Sequence, residues 1–266
     1  MKPQPADPQL LSVIVPTYKC PTIKRDLKSI TGYLDQLNRP YEILCVVDGK
    51  AHPRDTTLQK ARQARSTKVS VYSYPQNRGK GYAVRYGMAR AKGGLIAFID
   101  AGSDLHASGI GMALEHLNWY QADIIVGSKR HKASKVSYPF KRRVISTLAQ
   151  WAIRLFFGVR VSDTQTGLKL FRREVLEQVL PRLVIKRFAF DLEILIVAHR
   201  LGFKRIYESP IELNYNFSST INGYALYHSG IDFLAIIYRT YILRYYDDRH
   251  QDIWEHDPKL ALRYHS

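Results

Sequence analysis

The stretch LIAFIDAGSD, Leu95 to Asp104, joins a short apolar run to an acidic turn that contains a glycine. Such a run, bounded by turn residues, is typical of a buried β-strand. Polar residues directly after a strand lie at its carboxyl end, which is where open α/β sheets bind their ligands. The stretch therefore predicts a strand of a parallel sheet and, at its end, a candidate site that contains Asp100 and Asp104.

Strand-like runs and longer helical segments alternate from residue 11 to residue 127. This alternation predicts βαβ units, and so an α/β fold with a Rossmann-like, mostly parallel central sheet flanked by helices. A lone polar residue after a strand is usually a turn or a helix cap. Here, however, all five predicted strands end in polar groups, so we expect these groups to converge at one edge of the sheet. The other four are Pro16 to Tyr18, Asp48 with Gly49, Asn77 to Gly81, and Ser128 to Arg130.

The 266-residue chain is strongly basic, with a formal charge of +17 and a pI near 9.8. Its 45% share of hydrophobic residues is enough for a substantial core and argues against disorder. The positive charge favours anionic partners: phosphorylated small molecules, an acidic membrane face or nucleic acid. Because no nucleic-acid-binding motif is present, we do not expect nucleic acid as a partner.

Cysteine usage and hydropathy indicate the compartment. With two cysteines, Cys20 and Cys45, a disulfide scaffold is excluded and a reducing cytosol is favoured. The first ten residues lack the apolar segment of a secretory signal. No run of about 18 uncharged apolar residues predicts a membrane-spanning helix. We therefore expect a cytoplasmic protein whose contact with a membrane is peripheral.

A stretch without acidic residues follows the fifth predicted strand. Within it, an amphipathic helix is predicted to begin near Pro139. The apolar residues at helical spacing are Phe140, Val144, Ile145, Leu148, Trp151, Ala152, Leu155 and Phe156. Basic residues beside an apolar helix suit an anionic bilayer, to which each contributes on the order of 1 kcal/mol; a solvated surface is the ordinary alternative. The basic residues between Ile124 and Ser162 are Lys129, Arg130, Lys132, Lys135, Lys141, Arg142, Arg143, Arg154 and Arg160.

Four aspartates are candidate catalytic residues. Asp100 and Asp104 offer the carboxylate oxygens that Mg²⁺ prefers, although Asp104 is equally suited to cap a helix. Asp163, in VSDTQTGLKLFRR, and Asp191, in FAFDLEILIVAHRLGF, are each compatible with a helix cap, an arginine partner or a general base. The sequence pattern alone leaves these alternatives open.

A glycine-rich loop follows the third predicted strand. The loop NRGKG, Asn77 to Gly81, offers backbone amides, Arg78 and Lys80 to an anion at the head of a predicted helix. Its spacing differs from that of a Walker A loop. The loop therefore indicates an anion site without indicating a triphosphate.

In their order and spacing these motifs resemble those of glycosyltransferase family 2, most closely its dolichyl- or polyprenyl-phosphate mannose synthase branch. The resemblance implies a GT-A fold, a GDP- or UDP-hexose as donor, and Mg²⁺ or Mn²⁺ as cofactor. It runs from about Leu11 to Tyr215 and is carried by VIVPTY (Val13 to Tyr18), VVDG (Val46 to Gly49), NRGKGYAVRYGMARAKG (Asn77 to Gly93), FIDAGSD (Phe98 to Asp104), IIVGSKR, KRRVIS (Lys141 to Ser146), DTQTGLKLFRR and FAFDLEIL.

The resemblance also implies which residues bind the substrates. Those expected at the nucleotide sugar are Pro16, Tyr18, Asp48 and Lys80. Those expected at the phosphate of the acceptor are Lys129, Arg142 and Ser146.

The cation motif of the resembling synthases reads Asp-Ala-Asp-x-Gln. This chain keeps the first aspartate as Asp100, has Gly102 at the second aspartate, and has Asp104 where the glutamine would be. We therefore expect Asp100 and Asp104 as the metal ligands, with the middle ligand lost.

Together these expectations describe an inverting transfer of a hexose, mannose or glucose, to a polyprenyl or dolichyl phosphate at the cytosolic face of a membrane. Such a phosphate, with a second pKa near 6, is largely dianionic at neutral pH and needs no general base. The alternative is a saccharide or other hydroxyl acceptor, with Asp163 or Asp191 as general base. A lipid acceptor implies peripheral membrane contact, and a membrane-protein partner stays open.

Two parts of the chain are expected. Residues 1–221 would form the GT-A catalytic domain. Residues 222–266 would form a C-terminal amphipathic helical extension, rich in tyrosine, that lies against the membrane or packs under the sheet.

Overall fold

The computed structural model describes residues 7–50, 52–102, 105–134, 140–187, 189–213 and 223–248. In 140–146 and 223–229 it describes the backbone alone. One seven-stranded sheet has the order β3-β2-β1-β4-β6-β5-β7. The strands are β1 (Asp7–Thr17), β2 (Tyr41–Asp48), β3 (Val69–Tyr74), β4 (Gly93–Ile99), β5 (Ile124–Ser128), β6 (Leu168–Arg172) and β7 (Ile206–Pro210).

All strand pairs are parallel except those that involve β6. The predicted α/β fold with a mostly parallel sheet is therefore confirmed, and all five predicted strands are present. The helices are α1 (Ile23–Leu34), α2 (Thr57–Arg62), α3 (Lys80–Met88), α4 (Ser108–Trp119), α5 (Phe140–Phe157), α6 (Arg173–Val179), α7 (Phe190–Arg200) and α8 (Gly223–Ile237), with a π-helical turn at Tyr238–Ile242.

Helices cover both faces of the sheet, and each face has its own core. On one face, Ile14 and Phe98 pack with residues of α3 and α7. On the other, Val13 and Ile43 pack with residues of α1 and α4. Because successive strand residues point to opposite faces, strands covered on both sides become continuous apolar runs. This explains why LIAFI carries no alternating pattern.

The antiparallel strand β6 brings a further segment to the candidate site. An antiparallel strand begins at the edge where its neighbours end, and Leu168 pairs with Ile99 at the end of β4. Gly167 consequently lies beside Asp100, whose amide donates to the Gly167 carbonyl at 2.8 Å. The sequence pattern did not identify β6.

The C-terminal helical segment packs on the core that contains α7. Ile236 of α8 is buried, and beyond the π-helical turn Tyr246 is buried as well. The Tyr246 hydroxyl donates to Glu193 of α7 at 2.8 Å. The division at residues 221 and 222 stays a proposal, since residues 214–222 lie outside the described part. Within that part, no helix combines the length and the hydropathy that crossing a bilayer needs.

Candidate active site

The carboxyl edge of the sheet gathers four charged side chains from four elements. Lys80 begins α3, Asp100 follows β4, Lys169 lies on β6 and Asp191 lies in the first turn of α7. The Lys80 ammonium is 2.9 Å from Asp100 Oδ2 and 2.8 Å from Asp191 Oδ2. The Lys169 ammonium is 2.7 Å from Asp191 Oδ1. The two lysines and two aspartates therefore form one charge-balanced cluster.

The Asp100 carboxylate has one oxygen bound and one oxygen orphaned. Oδ2 accepts from Lys80, whereas the buried Oδ1 has no hydrogen-bond partner among the described residues. A buried carboxylate oxygen without a partner is costly, and it is the atom type that Mg²⁺ and Mn²⁺ prefer. Asp100 also lines a cleft of about 330 Å³ with Asp26 and His106. Asp100 thus offers one ligand oxygen to a divalent cation. Among the described residues no group of three or more His, Cys, Asp or Glu side chains could hold the ion, and Asp104 lies outside that part of the chain.

Burial and charge oppose each other in this cluster. Burial raises the pKa of Asp100, although Lys80 counteracts it. Burial alone would lower the pKa of Lys80, but the carboxylates of Asp191 and Asp100 outweigh burial and raise that pKa above its usual value. For the fully buried Lys169 the balance is reversed, and burial lowers its pKa despite the Asp191 carboxylate. The charge pairs therefore outweigh burial at Lys80, whereas burial outweighs the charge pairs at Asp100 and Lys169.

Asp48 binds the glycine-rich loop that follows β3. Its Oδ1 accepts from the Tyr74 hydroxyl at 2.9 Å and the Arg78 amide at 2.7 Å. Its Oδ2 accepts from Asn77 Nδ2 and the Gly79 amide, both at 2.9 Å. The expectation that this loop offers its amides to an anion is therefore wrong for these two amides, because Asp48 already accepts from both. Contact between Asp48 and the nucleotide stays a prediction.

The far side of this loop is held by the segment before α7. The Tyr82 amide donates to the Lys186 carbonyl at 3.2 Å. Gly79 has a φ of +97°, which favours glycine, and a Cβ there would lie 2.4 Å from the Lys186 carbonyl oxygen. The loop is thus clamped from two directions, and Lys80 begins its helix from a fixed backbone.

Asp48→Asn is expected to lower the free energy of unfolding by about 1–3 kcal/mol, since one oxygen becomes an amide that faces donors. Denaturant titration measures the change. Asp35→Asn is the control, because Asp35 is exposed and pairs with Lys68 at the surface. Its Oδ1 accepts from both Lys68 and the Tyr41 hydroxyl, and an asparagine oxygen can still accept both bonds. An Asp48→Asn protein as stable as the control would contradict the clamping role.

The turn after Asp100 is tied to α1. The Gly102 amide donates to Asp26 Oδ2 at 3.1 Å, and the same oxygen accepts from the Thr22 hydroxyl at 2.9 Å. Gly102 itself has a φ of +116°. Asp26 therefore fixes the backbone at the position where the resembling synthases carry their second aspartate.

The residues expected at the acceptor lie after β5 and on α5. The Lys129 amide donates to Asp163 Oδ2 at 3.2 Å, so these two predicted site residues are brought together. Beside them, Arg130 Nη2 donates to the Thr147 hydroxyl of α5 at 2.9 Å. Arg142 and Ser146 lie on α5, in the stretch whose side chains are outside the described part.

Pro16 and Tyr18, which are expected to contact the nucleotide, lie at the carboxyl end of β1, at the same edge of the sheet. Pro16 pairs with Val46 in the sheet, and Tyr18 follows the strand with 46% of its surface exposed. An exposed aromatic ring at a strand end is available for stacking. Its contact with a nucleotide stays a prediction.

Sequence reasoning missed Lys169, Gly167 and Asp26. Lys169 stands between two leucines in GLKLFRR, which was a signal: a strand that buries both faces must pair any charge it carries. Gly167 could be recognised only once β6 was placed beside β4. Asp26 looked like an ordinary acid in the first turn of a helix.

Comparison with known families and proteins gives consistent results. The family model described as Glycosyl transferase family 2 matches residues 12–180. The dolichyl-phosphate beta-glucosyltransferase of Drosophila melanogaster is 32% identical over 211 residues, which are 72% of this chain and 63% of the relative. A dolichyl-phosphate beta-glucosyltransferase of Trichomonas vaginalis is 29% identical over 245 residues, 86% of this chain and 74% of the relative. The chain thus spans less than two thirds of the length of the Drosophila relative.

Two solved structures share the fold at low sequence identity. Glucosyl-3-phosphoglycerate synthase of Mycobacterium tuberculosis, crystallised with Mn²⁺, uridine diphosphate and glucosyl-3-phosphoglycerate, has a TM-score of 0.64 at 19% identity, covering 86% of this chain and 79% of that one. Mannosyl-3-phosphoglycerate synthase of Rubrobacter xylanophilus has a TM-score of 0.68 at 17% identity, covering 87% and 74%. Both likenesses are likenesses of fold, and they confirm the expected GT-A architecture.

Proposed function

Because the chain belongs to glycosyl transferase family 2, we propose that it transfers glucose, with inversion, from UDP-glucose to a polyprenyl phosphate such as dolichyl phosphate. The relatives named above act on dolichyl phosphate as beta-glucosyltransferases, which favours glucose over mannose. The neighbour crystallised with uridine diphosphate favours a UDP donor over a GDP donor. The proposal narrows the sequence expectation, which left both sugars and both nucleotides open.

The arrangement of Asp100 and Lys80 is the observation that supports this proposal most directly. A carboxylate with an orphaned oxygen stands 2.9 Å from an ammonium at the carboxyl edge of the sheet. Transfer from a nucleotide sugar develops negative charge on the leaving diphosphate, and preorganised positive charge there lowers the barrier. Asp100, with Asp104 as its predicted partner, would hold Mg²⁺ or Mn²⁺, which when bound neutralises the diphosphate. Lys80 would add a second positive charge.

A phosphate acceptor suits the residues after β5. Lys129 and the neighbouring basic residues of the acid-free stretch would attract and orient a dianion, which attacks the sugar without a general base. A hydroxyl acceptor would need such a base. Asp191 has both oxygens bound to lysines, so the hydroxyl alternative depends on Asp163. This difference favours the phosphate acceptor.

The test is incubation of the protein and a divalent cation with labelled UDP-glucose, GDP-mannose or UDP-galactose and dolichyl phosphate. We expect label from UDP-glucose in a lipid-extractable product that mild acid releases, as a glycosyl phosphate requires. Omission of dolichyl phosphate is the control. Label in a water-soluble saccharide alone would overturn the lipid acceptor, and label from GDP-mannose alone would overturn the donor.

An exposed apolar face accompanies the site. We define it by Leu148, Trp151 and Leu155 of α5 together with Leu234 and Tyr238 at and after α8; each exposes about half or more of its surface. The two helices pack against each other through aromatic side chains, since the ring centroids of Phe157 and Phe233 lie 5.7 Å apart. Leu148, Trp151 and Leu155 belong to the apolar stripe that the sequence predicted, and their side chains face outward.

We propose that this apolar face makes peripheral contact with the anionic, cytosolic surface of a membrane. A lipid acceptor must be met at a bilayer, and several large apolar side chains exposed together indicate an interaction site. The basic side chains Arg154 of α5, Arg160 shortly after α5 and Arg244 shortly after the π-helical turn are exposed and would attract anionic lipid. A membrane-protein partner stays compatible with the same face.

Trp151→Glu is expected to lower binding to vesicles that contain phosphatidylserine at least about tenfold, because insertion of an apolar side chain is worth about 1.5–3 kcal/mol. Co-sedimentation measures the bound fraction. Trp119→Glu is the matched control, since Trp119 is 84% exposed but lies on α4. Equal losses in the two variants would contradict docking through the apolar face.

A further inference from the structure

Lys169 is a buried lysine that no step of the proposed reaction uses. Its side chain has 0% exposure, and its ammonium lies 5.1 Å from the centre of the Phe98 ring. The ammonium donates to the Thr166 carbonyl at 2.8 Å and to Asp191 Oδ1 at 2.7 Å. Burying a charge costs several kcal/mol unless it is paired. Such a residue is expected to have a role that a leucine could not fill.

The position of Lys169 excludes contact with a substrate. It is the second residue of β6, its backbone pairs with Phe98, and its side chain lies under the cluster on the same face as that ring. Lys80 is above it, with its own ammonium 5.3 Å from the same ring and 13% of its side chain exposed. Lys80 can meet a donor, whereas the hydrogen bond that joins Lys169 to the cluster is the one to Asp191.

Asp191 connects the two lysines. One oxygen accepts from each, and its side chain is 3% exposed. A general base needs a free oxygen that faces the acceptor, and Asp191 presents none. Its geometry is that of a fixed counterion, which holds the Lys80 ammonium from the side opposite Asp100.

We propose that Lys169 and Asp191 are positioning residues, which fix the Lys80 ammonium where it meets the diphosphate of the donor. A lysine has about 2 kcal/mol of rotamer entropy, which two carboxylates suppress before the donor arrives. Lys169 keeps Asp191 in place and balances its charge, so Asp191 holds Lys80 without adding net negative charge beside an anionic ligand. The donor contact of Lys80 rests on the proposed function.

The first test is calorimetry of UDP binding in metal-free buffer. The affinity for UDP reports on the contact between Lys80 and the diphosphate, and its measurement does not require catalysis. Lys169→Met and Asp191→Asn are each expected to weaken UDP binding about tenfold or more. The double variant is expected to bind UDP as tightly as whichever single variant binds it more weakly, because both changes act through the same contact of Lys80 with UDP. Additive losses would show that Lys169 does not act through Asp191.

The second test separates positioning from general loss of stability. With UDP-glucose, we expect Lys169→Met to raise the KM of the donor at least about tenfold and to leave the KM of dolichyl phosphate within about twofold. Phe171→Leu is the matched control: Phe171 is buried and its ring lies 6.4 Å from Phe98, so it weakens the same core without changing charge. If the control shows the same rise in donor KM, the positioning role is wrong.

The two proposals can fail separately. If the wild type binds UDP but forms no glucosyl lipid, the proposed acceptor is wrong, while the UDP measurements still decide the role of Lys169. If the wild type forms glucosyl lipid and Lys169→Met matches it in UDP affinity and donor KM, the positioning role is wrong and the proposed function stands. Should Lys169→Met not fold, Asp191→Asn provides the same two readouts.

Discussion

Asp100→Asn is expected to lower kcat at least about 100-fold and to leave the fold intact. Loss of one preorganised charge contact in an active site costs on the order of 10²–10³-fold in rate. Asparagine preserves the shape, and its amide oxygen can still accept from Lys80, so the melting temperature should change little. The effect falls on Oδ1, which is buried, orphaned and suited to a cation. Initial rates with UDP-glucose and dolichyl phosphate measure the change.

Metal dependence provides the matching readout for Asp100. Excess EDTA should abolish wild-type activity, and added Mn²⁺ should restore it. Asp100→Asn should respond to neither treatment, whereas the control Asp35→Asn should behave as wild type. Undiminished activity of Asp100→Asn, or wild-type turnover in excess chelator, would refute the cation role of Asp100.

Gly167→Ala is expected to lower kcat/KM by about 10²-fold, although alanine is among the mildest replacements for glycine. A Cβ at position 167 would lie 2.1 Å from Asp100 Oδ2 and 2.4 Å from its Cγ, so the carboxylate must move. A displacement of about 1 Å at reacting groups can cost on the order of 10²-fold. Steady-state kinetics measure the loss, and the melting temperature reports whether the fold survives.

Gly32→Ala is the matched control for Gly167→Ala. Gly32 lies on α1, and a Cβ there would meet nothing within 4 Å. Alanine is favoured over glycine in a helix by up to about 1 kcal/mol, so this variant should be at least as stable as wild type and fully active. Wild-type activity in Gly167→Ala would mean that Asp100 can shift without consequence, contrary to the role given to it.

The part of the fold that depends on local pattern was predictable. Each of β1 to β5 is a short apolar run followed by a polar turn. Because parallel strands end at one edge of the sheet, these five polar turns could be expected together without knowledge of the strand order. The α5 stripe was equally visible, because residues 148, 151 and 155 have helical spacing. What the pattern could not show was whether that stripe faces the core or the solvent.

The parts that depend on non-local pairing were not predictable. Lys169 interrupts the apolar run in LKLFR, so this segment lacks the continuous pattern that revealed β4, and nothing in it states that it runs antiparallel between β4 and β5. Lys169 was therefore not recognised as buried, and Asp191 was left with three alternative roles. Similarly, the amides of the NRGKG loop looked free because Asp48, their partner, lies 30 residues away in sequence.

Gly102 limits which side chains the turn after Asp100 can carry. In the resembling synthases an aspartate stands here, yet a φ of +116° is a conformation that side-chain-bearing residues rarely adopt, at a cost of about 1–3 kcal/mol. The amide of Gly102 is in turn held by Asp26. Aspartate at position 102 would strain the turn, and removal of Asp26 would release the amide without adding a ligand. The residue at position 102 and the partner of its amide are therefore coupled: a carboxylate there needs a turn of different conformation, which the bond to Asp26 opposes.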